Sequence, residues 1–302
     1  MKQIRFVIFF IFFFLFFLYY PGGNPILKLV AYEREPFNIQ SIEPAINIKP
    51  IPIVQIAPPF LTAQGLYVVE LDSFTPVLKR NEHNQFYPAS TTKIITALVA
   101  RHQYNENDIV TVNQASVEGQ LMELVPNERI TVENLLYGIL VHSGNDAAYA
   151  LANHVNYADF VTKMNQKASE LAMKNSHFTN PAGLDDQGQF TSPYDLALAA
   201  RALLHDEYLR KMVGTKEIVI SDVDYRIFHR LTNINKLLGE IQGIGGLKTG
   251  YTELAGENLV SFYRHNGHDY IIVILKSEDR FEDTTAVVNW IDSAITYESP
   301  EL

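Results

Sequence analysis

Two alternating apolar runs, residues 258–264 and 270–275, are joined by His265-Asn266-Gly267-His268. An Asn-Gly pair takes the positive φ angles of a two-residue turn whose twist matches its flanking strands, so this stretch is a hairpin with a fixed register. A second hairpin is expected near the other end of the chain. Residues 66–71 and 76–79 read as strands, with Asp72-Ser73-Phe74-Thr75 as their turn. Between the two hairpins the patterns are helical. Thr131 can cap a helix through Leu140, with Glu133 in its first turn, and a helix over 147–154 follows a break at 142–146. Residues 158–174 place Phe160, Val161, Met164, Ala168 and Leu171 on one stripe. Ser192-Pro193 starts a helix to Leu204, with Asp195 completing its cap. Residues 107–130 read as irregular, with a turn at Pro126-Asn127, and 216–220 as a short strand. A last helix over 283–297 carries Val287, Trp290, Ile291 and Ala294 on one face. Strands at both ends with helices between imply an α+β fold: an antiparallel sheet built from both sequence ends, flanked by helices, with a mostly helical subdomain between.

The first residues are of another kind. Lys2 and Arg5 precede an uncharged run over 6–20 that is mostly phenylalanine and ends at Pro21-Gly22-Gly23. A basic start followed by an apolar core is an export signal. No small-x-small cleavage site follows it, so residues 1–21 are read as a retained single-pass anchor, with the rest of the chain on the outer face. Residues 22–59, with Pro36, Pro44, Pro50, Pro52, Pro58 and Pro59, read as an extended spacer, and 60–302 as one catalytic domain. The net charge is −10 with no basic run after the first five residues, which argues against nucleic acid as a partner. With no cysteine, thiolate catalysis, disulfides and cysteine-based zinc sites are excluded. The histidines form no H-x-x-x-H pair, so no metal or other cofactor is expected.

The chemistry centres on Tyr87-Pro88-Ala89-Ser90-Thr91-Thr92-Lys93, which runs into an apolar stretch over 94–100. A spacing of three on a helix puts Ser90 and Lys93 on one face, within reach of a shared proton. A serine at a buried helix start also has free backbone N–H groups and the positive dipole end beside it. Alone, such a serine is more often an ordinary cap. Two further short signals follow in order, Ser143-Gly144-Asn145 and Lys248-Thr249-Gly250, on a helix–helix loop and a strand.

With these three motifs the sequence resembles the penicillin-binding, active-site-serine DD-peptidases, and within them the low-molecular-mass D-alanyl-D-alanine carboxypeptidases. Residues 87–99, 143–148, 178–184, 191–197 and 247–252 all carry the likeness, which extends from about residue 60 to the end. The resemblance implies a β-lactamase/DD-peptidase-like fold and a serine carboxypeptidase acting on peptidoglycan stem pentapeptides at the extracytoplasmic face of a bacterial membrane, with β-lactams as inhibitors. Ser90 would be the nucleophile and Lys93 the base, which requires a neutral amine. Reaching neutrality at pH 7 takes a shift of roughly three pKa units, about 4 kcal/mol, to which burial and the nearby Lys248 both contribute. Ser143 would relay a proton to the leaving amine, and Asn145 would bond Lys93 or the substrate amide. Lys248 and Thr249 suit the terminal carboxylate, while Gly250 leaves room for substrate backbone. The family assigns the oxyanion hole to the N–H groups of Ser90 and Tyr251, and often has an assisting arginine where Arg280 stands. Asn180-Pro181 and Asp195 read as loop and cap residues.

A class A β-lactamase shares these motifs but needs a glutamate after the second one to hydrolyse its acyl-enzyme; residues 176–189 contain Asp185 and Asp186 and no glutamate. A DD-endopeptidase cutting cross-links would use the same residues. A non-catalytic wall binder would not need Ser90 and Lys93. The chain stops at Leu302 soon after its last helix, so no C-terminal β-domain or amphipathic anchor is expected, which leaves the N-terminal segment as the membrane attachment.

Overall fold

The structure, a computed structural model, describes residues 2–18, 51–113 and 117–298. Its two compact units are residues 1–48 and 49–302. The first contains α1 (Lys2–Leu18). At a rise of about 1.5 Å per residue its 17 residues extend about 25 Å, and among the described residues no helix is long and apolar enough to cross a membrane. Residues 19–50, which include most of the expected spacer, lie outside the described residues.

The second unit opens with β1 (Ile51–Val54), β2 (Gly65–Glu70) and β3 (Pro76–Arg80), then a 3-10 turn (Ala89–Thr92) leading into α2 (Lys93–Gln103). β4 (Ile109–Thr111), β5 (Arg129–Thr131), α3 (Val132–Leu140), α4 (Asn145–Asn153), α5 (Tyr157–Glu170), α6 (Pro193–His205) and α7 (Glu207–Val213) make up the middle. β6 (Glu217–Ser221), β7 (Phe228–Thr232), β8 (Ile244–Thr252), β9 (Gly256–His265), β10 (His268–Ser277), α8 (Arg280–Ala294) and β11 (Ile295–Glu298) complete it.

The main sheet has the order β3-β2-β10-β9-β8, entirely antiparallel, so strands from the two ends of this unit share one sheet as expected. At the β9–β10 turn, Asn266 and Gly267 have φ of 47° and 83°, and His265 pairs with His268. These are the angles an Asn-Gly hairpin requires. The sheet is covered on both faces. Leu66, Val68, Ile272 and Ile274 pack with Val287, Trp290 and Ile291 of α8, while Tyr67, Val69, Ile271 and Val273 face the helical layer. α2 runs through that layer with Ile94, Ile95 and Ala97 fully buried. Burying each isoleucine contributes on the order of 2–3 kcal/mol, so the element that carries the reactive pair is also a core element.

Two of the helices begin where their caps predict, whereas those expected from 147 and 283 begin earlier, at Asn145 and Arg280. Thr131 Oγ1 accepts from the Asn134 amide, and Ser192 Oγ from that of Asp195. Three local readings are corrected. Residues 51–59 are not all spacer: β1 pairs with β11, and the Trp290 indole donates to the Ile56 carbonyl at 2.9 Å. The last helix ends at Ala294, where the chain extends to make that pairing. Within 107–130, taken as irregular, β4 and the start of β5 form a small hairpin. Each departure involves a short strand whose partner is a separate segment, so local pattern gave no warning.

Candidate active site

Ser90 sits where three segments meet. Ala89 before it has φ +48°, a left-handed conformation that costs a non-glycine residue about 1–2 kcal/mol. This kink turns the chain into the 3-10 turn and α2. Gly183, at φ +88°, lies against the kink so closely that an added Cβ would be 1.8 Å from the Ala89 carbonyl oxygen. From the sheet side a Cβ on Gly250 would fall 3.0 Å from the Ser90 nitrogen and 3.2 Å from the Pro88 oxygen. Gly250 therefore lets β8 approach the nucleophile's own backbone, bringing the 250–251 strand segment beside the Ser90 amide.

Lys93 is fully buried. Its Nζ lies 2.8 Å from Ser90 Oγ, 2.7 Å from Asn145 Oδ1 and 2.7 Å from the Ala182 carbonyl oxygen. Burial, then the Lys248 charge, hold its pKa well below the ordinary lysine value, against a smaller opposing pull from Asp146. Lys248 is equally buried; burial and the Arg280 charge bring it down to about 7. A neutral amine is an acceptor as well as a donor, so Lys93 can take the Ser90 proton while two oxygens fix its position.

A cavity of about 260 Å³ opens over this pair, lined among others by Ser90, Ser143, Asn145, Thr249, Tyr251 and Arg280. Ser143 is in the left-handed region at φ +64°, in the break between α3 and α4. It makes no hydrogen bond to Lys93 among the described contacts. Thr249 Oγ1 is buried without a hydrogen-bond partner, an acceptor and donor left for something in the cavity. Lys248 does not line the cavity: its Nζ donates to the Thr249 carbonyl at 2.9 Å, and its charge acts on the site from a buried position, on the same strand face as Gly250. Arg280, at the start of α8, donates through Nη1 to the Gly250 carbonyl at 2.8 Å and lies 3.6 Å from Glu257. The structure thus brings all nine expected residues to one place, with Lys248 as the one set back.

Several residues that hold the site carry no site role in the sequence reading. Asn180 Oδ1 accepts from the amides of Ala182, Gly183 and Leu184, shaping the loop whose Ala182 carbonyl receives Lys93. The loop reading was right, but it understates how directly Asn180 positions the base. Asp146 is fully buried and accepts from Met122 and Leu124 amides, fastening the cavity wall that includes Gly119 and Gln120. Further along that wall, His229 lies 2.7 Å from Glu128 and 2.9 Å from the Met122 carbonyl. The His229 pKa is raised: burial opposes the charge, but the Glu128 bond and charge outweigh it. Neither Asn180 in its loop nor Asp146 just after the second motif has a spacing signature that separates it from ordinary loop residues.

Asn258 is the most consequential of these. It is fully buried on β9; its Nδ2 donates to the Tyr87 and Pro88 carbonyls at 2.9 and 3.1 Å, and its Oδ1 accepts from the Lys276 amide. It ties the segment preceding the nucleophile to the sheet. Asn258→Ala is expected to slow penicillin acylation by about 100-fold, the cost of a nucleophile misplaced by about 1 Å. It should also lower stability by about 2 kcal/mol, from backbone groups left unpaired. Stopped-flow labelling and thermal melting measure the two effects.

Residues 54–279 match the model of the D-alanyl-D-alanine carboxypeptidase family. The chain is 33% identical over 250 residues to D-alanyl-D-alanine carboxypeptidase DacF of Bacillus subtilis, covering 80% of this chain and 64% of that protein. It is 32% identical to DacD of Escherichia coli, covering 84% and 68%. Among solved structures, the Streptomyces K15 DD-transpeptidase superposes with a TM-score of 0.74 at 28% identity, over 78% of this chain and 98% of that one. The carboxypeptidase DacD of Francisella tularensis gives 0.74 at 27% identity, over 80% and 73%. The chain thus spans about two thirds of the length of the curated relatives named here.

Proposed function

The chain belongs to the D-alanyl-D-alanine carboxypeptidase family, and from that premise we propose that it is a serine peptidase that removes the terminal D-alanine from peptidoglycan stem pentapeptides. Ser90 gives its proton to neutral Lys93 and attacks the carbonyl between the two D-alanines. The oxyanion is held by the Ser90 and Tyr251 amides. When the C–N bond breaks, the leaving amine takes a proton passed from Lys93 through Ser143. Water then attacks the acyl-enzyme as Lys93 takes its proton, and Lys93 returns that proton to the Ser90 oxygen as the ester bond breaks. The carboxylate of the leaving residue lies toward Thr249 and Arg280, with the buried Lys248 supplying positive potential. The observation that carries this reading is the 2.8 Å contact between a buried, pKa-lowered Lys93 and Ser90 at the foot of the cavity. Penicillins, whose strained amide and carboxylate mimic the same groups, would acylate Ser90 and leave slowly.

The substrate lies outside the cytoplasmic membrane, so the enzyme has to be exported. We assign that task to the segment over 1–21, whose uncharged apolar core carries basic residues only on its N-terminal side. Mass spectrometry of muropeptides before and after digestion tests the substrate assignment. Pentapeptides are expected to become tetrapeptides with one D-alanine released each. Cleavage of cross-linked dimers without that release would instead make the protein an endopeptidase.

A further inference from the structure

A second cavity, of about 190 Å³, lies beside the catalytic one and is lined by Gln85, Phe86, Tyr87, Gln187, Gln189 and Phe190. Its wall contains three aromatic rings and three carboxamides and no charged side chain. Phe86, Tyr87 and Phe190 are half-buried, while Gln85 and Gln187 are exposed. Among the described residues neither Gln85 nor Gln187 has a hydrogen bond within the protein. The floor, in contrast, is rigid. Phe86 and Thr191 exchange backbone hydrogen bonds at 2.8 and 2.9 Å, and a Cβ on Gly65 would strike the Phe86 ring at 2.7 Å. Gln189 is buried and fully committed, accepting from the Thr179 and Asn180 amides and donating to the Leu184 carbonyl.

Half-buried rings lining a cavity together with exposed, unbonded neutral amides are matched by a ligand with apolar C–H faces and several uncharged hydroxyl or acetamido groups. A charged peptide side chain would lack a counter-charge here. The position also fits. Tyr87 is three residues from Ser90, so its Cα lies within about 11 Å of the nucleophile's. The loop that lines the catalytic cavity at Ala182, Gly183 and Leu184 continues into this one at Gln187. In a stem peptide the scissile carbonyl belongs to the fourth residue, so four residues of extended chain, about 14 Å, plus the link to the sugar give ample reach to this cavity.

We propose that this cavity is a saccharide subsite that holds the amino sugar bearing the stem peptide, so that the enzyme distinguishes glycan-linked from free pentapeptide. The proposal rests on the carboxypeptidase reading above. The test compares the full chain with the Q85A/Q187A double variant on free pentapeptide and on the same peptide attached to its N-acetylated disaccharide. The wild type is expected to show about a tenfold higher kcat/KM on the glycan-linked substrate, carried by KM, and the double variant less than a twofold preference. The rate of penicillin labelling should be the same in both proteins. Equal kcat/KM on the two substrates, or a preference that survives the double substitution, overturns the subsite while leaving the carboxypeptidase intact. If neither substrate releases D-alanine, the function itself is wrong, and the subsite is judged by calorimetry with the peptide-free disaccharide. Binding that the double variant loses upholds it, and no binding at millimolar concentration overturns it.

Discussion

Ser90→Ala is expected to abolish both covalent penicillin labelling and D-alanine release, a loss of at least about 10⁴-fold given how much of such a reaction depends on the activated nucleophile. The substitution removes one oxygen from a half-buried side chain in the 3-10 turn that leads into α2. Its only described hydrogen bond is the one from Lys93, so the fold should persist with an unchanged melting profile to within about 1 kcal/mol. Loss of labelling together with loss of folding would say nothing about chemistry; loss with folding retained assigns the nucleophile. The kink at Ala89 and the close seat of Gly183 and Gly250 make the role positional as well as chemical. A serine moved one residue along the turn would not replace it.

The second large effect concerns the base. Lys93→Arg keeps a positive group but cannot supply a neutral amine, so acylation by penicillin is expected to fall by about 10³-fold, within the range of a lost general base. The wild-type pH profile carries the same signature. Because burial and Lys248 hold the Lys93 pKa well below the usual value, kcat/KM should rise with pH through that lowered pKa, well before the ordinary lysine range. Lys248 works in the opposite sense. Its pKa is about 7 in the free enzyme, so its charge, and with it the attraction for the substrate carboxylate, is lost as pH rises past that value. The expected profile of kcat/KM against pH is therefore a bell whose falling limb lies near pH 7. A rate that climbs steadily to pH 10 would mean that Lys93 keeps an ordinary lysine pKa, and the proposed base would be lost.

Much of the site could be read from residue order because catalysis draws on short segments with a local geometric meaning. Ser90 and Lys93 share a helix face at any 3.6-residue repeat, and Lys248-Thr249-Gly250 needs only a strand to align its groups. The sheet was equally legible, since the Asn266-Gly267 turn fixes one hairpin and both faces of the central strands are apolar. What sequence did not give is the supporting structure. Asn258 bonds to carbonyls 170 residues earlier, and Asn180 shapes the loop that receives Lys93. Neither interaction has a spacing rule, because each is made by chain segments that meet only in the folded protein. The set-back position of Lys248 is of the same kind: its identity was plain, but the direction of its amine depends on what packs around it. Of the N-terminal run, only the apolar composition and flanking charge are informative, and α1 at 17 residues gives its length and no more.

The central claim is that Ser90 becomes acylated. Its most direct test is to treat the protein with penicillin at neutral pH, measure the intact mass, and map the modified peptide by tandem mass spectrometry. The account predicts one adduct per chain, of the full mass of the antibiotic, on Ser90. An adduct on Ser143 or any other residue, or an unmodified protein that is folded and fully soluble, would contradict it.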